Sequence, residues 1–217
     1  NPFADLTKSE LTLWLTSVIS ITVSFVLSGT GDYLTVISSL IGVTALIFIA
    51  KGYVIGQILL VAFSVFYGIV SFCFRYYGEM ITYLGMSTPA AIAAVISWLK
   101  HPYKDTSEVE ISRLTKKQLI IGIISTVAVT VLFYFILGAL GNANLLVSTF
   151  SVTTSFFAAY LTYYRSPYYA LGYAANDLVL IILWVMAAIE DISYLPMVIC
   201  FVMFFVHDIY GFISWKR

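Results

Sequence analysis

Charge, cysteine, histidine and proline are all scarce in this sequence. Lys and Arg together number 11, Asp and Glu 11, His 2, Cys 2 and Pro 5 among 217 residues. A charged fraction of 10%, against about 25% in a soluble chain, excludes a solvated globular domain. The formal net charge is zero, so nothing suggests a general attraction to nucleic acid. Cys73 and Cys200 stand alone in apolar runs without C-x-x-C spacing, so a disulfide frame or a metal centre is not expected. With His101 in a polar loop and only His207 in an apolar stretch, there is no H-E-x-x-H run. A P-loop G-x-x-x-x-G-K is also missing. These gaps argue against a metallohydrolase and against an ATP-driven pump made by this chain alone. No cofactor is expected.

Apolar residues fill the space that charge leaves. They make up 61% of the chain, with 16 Tyr and 16 Phe, and the mean hydropathy is +0.97. A bilayer core needs about 20 apolar residues per helix. Eight such stretches are predicted, at Leu11–Leu27, Tyr33–Ala50, Tyr53–Phe74, Ile81–Leu99, Leu119–Leu140, Leu145–Tyr164, Tyr168–Ile189 and Tyr194–Trp215. Gly, Pro, Asn or charge breaks the chain between them, as at Gly29-Thr30-Gly31-Asp32, Gly141-Asn142 and Arg165-Ser166-Pro167. Residues Asn1 to Glu10 read as a polar tail with no cleavage site, so no removed signal peptide is expected. One connection is long, Lys100 to Gln118, where Ser107 and Glu110 at capping-box spacing suggest a short surface helix.

Eight spans sort the basic residues by side. Lys8, Lys51, Lys100, Lys104, Arg113, Lys116, Lys117, Arg165, Lys216 and Arg217 share a side with both termini, and only Arg75 falls opposite. By the positive-inside rule the basic side is cytoplasmic. The fourth span ends Ile96-Ser97-Trp98-Leu99-Lys100 and the eighth Ile213-Ser214-Trp215-Lys216-Arg217, an offset of 117 positions that also relates Tyr67 to Trp184. This offset lays spans two to four over spans six to eight, entering the membrane from the same side. The expected fold is an all-α integral membrane protein with eight transmembrane helices. An extra N-terminal helix occupies residues 1–32 and a first three-helix repeat 33–100. A cytoplasmic loop and linker helix follow in 101–143, and a second, parallel repeat in 144–217. Parallel repeats place a substrate near the midplane between the halves.

Ionisable groups at membrane depth are costly and mark cavities or partners. Seven acids fall in loops and Asp5 and Glu10 in the tail, which leaves Asp177 and Asp208 inside apolar stretches. Asn176 precedes the first and His207 the second. Gln57, Ser64 and Tyr67 recur at helical intervals in the third span. Thr149, Thr153, Phe156, Tyr160 and Tyr163 mark one face of the sixth, and Trp184 lies about two turns beyond Asn176. Carboxylates, amides, hydroxyls and a flat aromatic wall suit a neutral or cationic solute with a planar ring and several hydroxyls, through hydrogen bonds and cation–π attraction. Equally, the hydroxyls can bond back to their own helices and serve packing. The candidate substrate-binding residues are therefore Gln57, Thr149, Thr153, Asn176, Asp177, Trp184 and Asp208. Asp177 and Asp208 could also form an enzymatic dyad, but neither has a G-x-G-D-like context.

Asp208-Ile209-Tyr210-Gly211-Phe212-Ile213-Ser214-Trp215 resembles the N-x-Y-G-x-x-x-W signature that closes each repeat of PnuC-type nicotinamide riboside transporters. Gly172 followed by Asn176 is similar to the G-x-x-N stretch of that family, with one residue more between the two. The likeness covers Tyr33 to Arg217, and the family is related in architecture to SWEET carriers. There are departures. Asp208 replaces the signature Asn; in the first repeat only Trp98 survives, with Ala91 to Ala94 in place of N-x-Y-G. The Asn of the earlier motif falls near Leu59 there, with Gln57 about half a turn away. The resemblance implies facilitative import of nicotinamide riboside for NAD biosynthesis, trapped inside by phosphorylation, by a homotrimer surrounded by lipid in the bacterial inner membrane. A SWEET-like carrier of a sugar or another vitamin is the alternative, and a passive binding subunit a third reading.

Overall fold

The computed structural model describes residues 2–73, 77–104, 106–142 and 144–216. Eight helices in it are long and apolar enough to cross a membrane. They are α1 (Lys8–Ser28), α2 (Tyr33–Ala50), α3 (Val54–Cys73), α4 (Tyr77–Leu99), α5 (Lys116–Ala139), α6 (Leu145–Tyr163), α7 (Tyr169–Glu190) and α8 (Leu195–Trp215). The predicted spans are recovered with ends shifted by a few residues. Phe74, Arg75 and Arg217, on which the span and sidedness reading also drew, lie outside the described residues.

Two expectations need correction. Glu10 is no part of a polar tail: Thr7 caps α1 in a capping box with Glu10, so the helix starts at Lys8. Glu10 is buried, pairs with Lys51 at 3.2 Å and accepts a hydrogen bond from the Tyr210 hydroxyl at 2.7 Å. It thereby ties α1 to the end of α2 and to α8. The Lys100–Gln118 connection contains no helix among its described residues before α5 begins at Lys116. It folds back on itself, the Tyr103 N–H donating to the Glu108 carbonyl (2.7 Å) and the Glu110 N–H to the His101 carbonyl (2.9 Å). Val109 N–H then binds the Gly52 carbonyl (2.9 Å) and Ser112 N–H the Arg165 carbonyl (3.0 Å). Burial of Val109 beside Trp98 wins over the local capping pattern at Ser107.

Those two anchor points are equivalent turns. Gly52 N–H bonds the Ile49 carbonyl, Tyr53 N–H the Phe48 carbonyl and Gly56 N–H the Tyr53 carbonyl. Arg165, Ser166 and Tyr169 repeat the pattern onto Thr162, Leu161 and Ser166. Gly52 (φ 75°) and Arg165 (φ 56°) both occupy the left-handed region that ends the preceding helix. The offset between these turns is 113, not 117, so the longer offset applies only to the closing helices α4 and α8. Tyr67 therefore aligns with Leu180 rather than with Trp184, and Asn176 with Phe63 rather than Leu59. The closing tryptophans cross over. Trp98 Nε1 donates to the Thr162 carbonyl at the end of α6, and Trp215 Nε1 to the Ile49 carbonyl near the end of α2, both at 3.0 Å. Their rings meet at 5.4 Å.

Close backbone approach sets the helix spacing. A Cβ on Gly56 would stand 2.5 Å from the Ile49 nitrogen, and one on Gly172 2.8 Å from the Ala158 Cβ. In α4, residues Thr82–Ser87 form a π-helical segment. Pro89 follows it, and a proline lacks the N–H and crowds the carbonyl four residues back, which favours such a widened turn.

Candidate functional site

Near the middle of the helices, α2, α3, α4, α6, α7 and α8 enclose a cavity of about 90 Å³. Its walls are mostly apolar and aromatic, with Phe63, Tyr83, Tyr169, Tyr173, Phe201 and Phe204 prominent. The π-helical segment of α4 supplies Tyr83, Met86 and Ser87. Lining positions recur at the 113 offset: Gly42 with Ser155, Leu46 with Ala159, Leu60 with Tyr173, Phe63 with Asn176 and Ser64 with Asp177. The backbone frame is paired while the chemistry is not, because α7 brings an amide and a carboxyl where α3 brings a phenyl ring and a hydroxyl.

Asn176, Asp177 and Asp208 all line this cavity and all are buried. The Ser151 hydroxyl (2.9 Å) and the Thr154 hydroxyl (3.1 Å) bind Asn176 Oδ1, which directs its amide N–H groups away from α6. The Asp177 and Asp208 carboxyls share the cavity, and Asp177 Oδ2 is buried without a hydrogen-bond partner. Among the described residues, no Lys, Arg or His side chain lines the cavity. The Ser64 hydroxyl meets that of Thr88 at 3.0 Å and so fixes α3 against α4.

The remaining expected site residues lie elsewhere. Thr149 donates to the Leu145 carbonyl, and Thr153 to the Thr149 carbonyl while meeting Thr130 of α5 at 2.8 Å. Farther along that face the Tyr160 hydroxyl donates to the Gln118 carbonyl. This stripe packs against the linker helix; α6 lines the cavity instead with Ser155 and Ala159 and holds Asn176 through Ser151 and Thr154, none of which periodicity singled out. Gln57 is fully buried with both amide atoms unpartnered. It shares a face with Leu60 and Ser64, toward the Lys51 end of α3, but does not line the cavity.

Trp184 lies nearer the opposite end. It lines a second, wider cavity of about 560 Å³ together with Asp32, Tyr67, Glu79, Ser193 and Tyr194, its ring 5.7 Å from that of Tyr194. At the rim the Ser193 backbone N–H (2.9 Å) holds the exposed Asp191 carboxyl below its usual range. An aromatic layer lies between the two cavities: Tyr67 meets Tyr83 at 4.6 Å with the rings tilted by 51°, Phe63 meets both, and Phe204 meets Phe63 at 6.1 Å.

Each residue type in the closing signature has a visible task. Asp208 enters the cavity and Tyr210 reaches Glu10 of α1. Gly211 lets the Tyr169 hydroxyl come within 3.1 Å of where a Cβ would stand, and Trp215 crosses to Ile49. No group of three or more metal-ligating side chains occurs among the described residues. The arrangement can hold an uncharged or positively charged molecule; none of its described lining residues carries a positive charge to neutralise an anion.

A family model described as nicotinamide mononucleotide transporter matches residues 32–217. The chain is similar to the nicotinamide riboside transporter PnuC of Neisseria mucosa, with 26% identity over 211 residues, which span 94% of this chain and 80% of that relative. It is also similar to a solved structure described as the vitamin B3 transporter PnuC. There the TM-score is 0.82 at 24% identity, covering 97% of this chain and 92% of the other. That coverage takes in α1, which the family model leaves out.

Proposed function

The chain belongs to the nicotinamide mononucleotide transporter family, and from that membership we propose that its cargo is nicotinamide riboside, moved by facilitated diffusion. A transporter, not an enzyme, is what the family indicates, in a multi-pass membrane setting. The observation that carries the riboside reading is the makeup of the central cavity: one amide, two carboxyls, several aromatic rings and, among the described residues, no cationic side chain. A mononucleotide brings a phosphate of about two negative charges, and burying it beside two carboxyls without a counter-charge is strongly unfavourable. The riboside keeps the positive ring and loses the phosphate. Aromatic rings such as Tyr83 and Phe204 face that cation, Asn176 takes the carboxamide or a ribose hydroxyl, and Asp177 and Asp208 offset the charge. The unpartnered Gln57 amide serves the cargo on its way to the cytoplasm. Trp184, in the wider cavity, meets it on the outer side.

Two parallel three-helix units, 33–100 and 144–217, frame this path. The reciprocal tryptophan bonds and the paired lining positions support that division. Both termini face the cytoplasm of a bacterial inner membrane, the carrier is a homotrimer, and intracellular phosphorylation traps the cargo. A SWEET-like sugar carrier is less favoured because a neutral sugar gives the carboxyl pair no charge to meet. Liposomes holding only this protein test the reading. Labelled riboside should enter without ATP or an imposed ion gradient, and the mononucleotide should neither enter nor compete. Uptake of glucose or mononucleotide in preference to the riboside overturns it.

A further inference from the structure

The turns that end α2 and α6 share a backbone pattern but differ in how their charge is met. After α2 comes Lys51, whose ammonium lies 3.2 Å from the Glu10 carboxylate. Glu10 is the third residue of α1, where it also closes the capping box on Thr7. The linker helix α5 opens in the same way: Thr115 caps it, and Gln118 takes the place that Glu10 holds in α1. It begins beside the equivalent turn, since the Tyr160 hydroxyl of α6 donates to the Gln118 carbonyl at 2.7 Å. The second half therefore presents an amide where the first presents a carboxylate. The cation of its turn, Arg165, is half-buried, and its Nε and Nη1 are enclosed without a hydrogen-bond partner. Among the described residues the Lys51–Glu10 contact is the one salt bridge. The acids of the α4–α5 connection lie with the other turn or beyond it. Glu108 lines a small cavity with Glu10 and Lys51, and the Glu110 N–H binds the His101 carbonyl.

An enclosed charge without an acceptor is costly. The level at which Arg165 stands supplies one. Tyr163 and Tyr168 flank it with 42% and 56% of their surface exposed, as tyrosines at a bilayer interface are. Arg113, Lys116 and Lys117 are exposed in the stretch that the Ser112 N–H ties to the Arg165 carbonyl at 3.0 Å. We propose that Arg165 binds the phosphate group of an anionic membrane lipid, in the leaflet on the Lys51 and Arg165 side, with the exposed basic residues drawing the headgroup in. A guanidinium offers planar pairs of N–H groups that suit two phosphate oxygens. Binding turns the side chain toward the headgroups, and its N–H groups exchange enclosure for charge-assisted bonds. The lipid gives the second turn the anion that Glu10 gives the first. This site is independent of the cargo.

Thermal unfolding of the purified full-length protein tests it, in micelles doped with phosphatidylglycerol or with phosphatidylcholine, while native mass spectrometry counts retained lipid. Phosphatidylglycerol should raise the midpoint by about 5 °C over phosphatidylcholine, and one such lipid should stay with each protomer. Salt at about 1 M should shrink the difference. Arg165→Gln should abolish it and leave the midpoint in phosphatidylcholine unchanged or raised, because no internal acid loses its partner. Arg165→Gly, which copies Gly52 and keeps the left-handed turn, is the second variant should the first fail to fold. Arg165→Lys, with the charge but not the fork, should retain part of the difference. An undiminished response to phosphatidylglycerol in the Gln and Gly variants overturns the site. So does a lower midpoint of both variants in phosphatidylcholine, which would mean that the protein itself holds the guanidinium. Inorganic phosphate that reproduces the whole shift supports the phosphate site and overturns the lipid as its source. Wild-type protein that responds to neither phosphatidylglycerol nor inorganic phosphate overturns both.

Discussion

Asn176 is the residue whose surroundings speak most directly for binding. Two hydroxyls hold its oxygen, so its orientation is fixed before any ligand arrives. Asn176→Ala should weaken riboside binding about tenfold to a hundredfold, the worth of about 1–3 kcal/mol for a buried hydrogen-bonding group, with unchanged oligomeric state; calorimetry measures it. Thr149→Val and Thr153→Val, on the opposite face of α6, should change affinity by less than about twofold, since a side chain without ligand contact carries little binding energy. This contrast also marks how far side chains were legible. Asp177 and Asp208 announce themselves because a carboxyl inside an apolar run needs a cavity or a partner. A hydroxyl does not, because its own backbone satisfies it. α6 has hydroxyls on two faces, and periodicity finds a face without saying what stands across from it.

Among the elements, helix number and approximate length follow from apolar runs alone, since each run must span one bilayer. The finer features follow from tertiary contact. The folded-back connection between α4 and α5 depends on partners far along the chain, Gly52 and Arg165 among them. The close crossing of α2 and α3 is of the same kind and gives a clear expectation. Gly56→Ala forces a methyl to within 2.5 Å of backbone that cannot swing aside, and should cost about 1–3 kcal/mol, seen as a lowered thermal midpoint of the detergent-solubilised protein. Gly138→Ala in α5, where the nearest neighbour is a leucine methyl at 3.6 Å, should be neutral or slightly stabilising by up to about 1 kcal/mol.

At the scale of the whole molecule, the crossed tryptophans join α4 to α6 and α8 to α2 near Lys51 and Arg165. Trp98→Phe and Trp215→Phe each leave a buried carbonyl without its indole donor. Each should lower stability by about 1–3 kcal/mol, with similar losses for the two because their bonds are equivalent. Contact between the rings should make the double variant depart from the sum, which a thermal-unfolding double-mutant cycle measures. Sidedness rests on charge distribution and has its own check. A cysteine introduced as Ser107→Cys, in a background lacking the native cysteines, should react with impermeant maleimide in inverted vesicles and remain unreactive in intact cells.

The paired frame around the central cavity has a geometric consequence. With the two three-helix units related by a half-turn, as we propose, shape alone would accept an elongated guest in either of two orientations. With phenyl and hydroxyl on one wall and amide and acid on the other, only one orientation satisfies the guest's polar end. The fold thus turns a degenerate mould into a keyed one, and a bound riboside should show a single pose rather than two half-occupied ones.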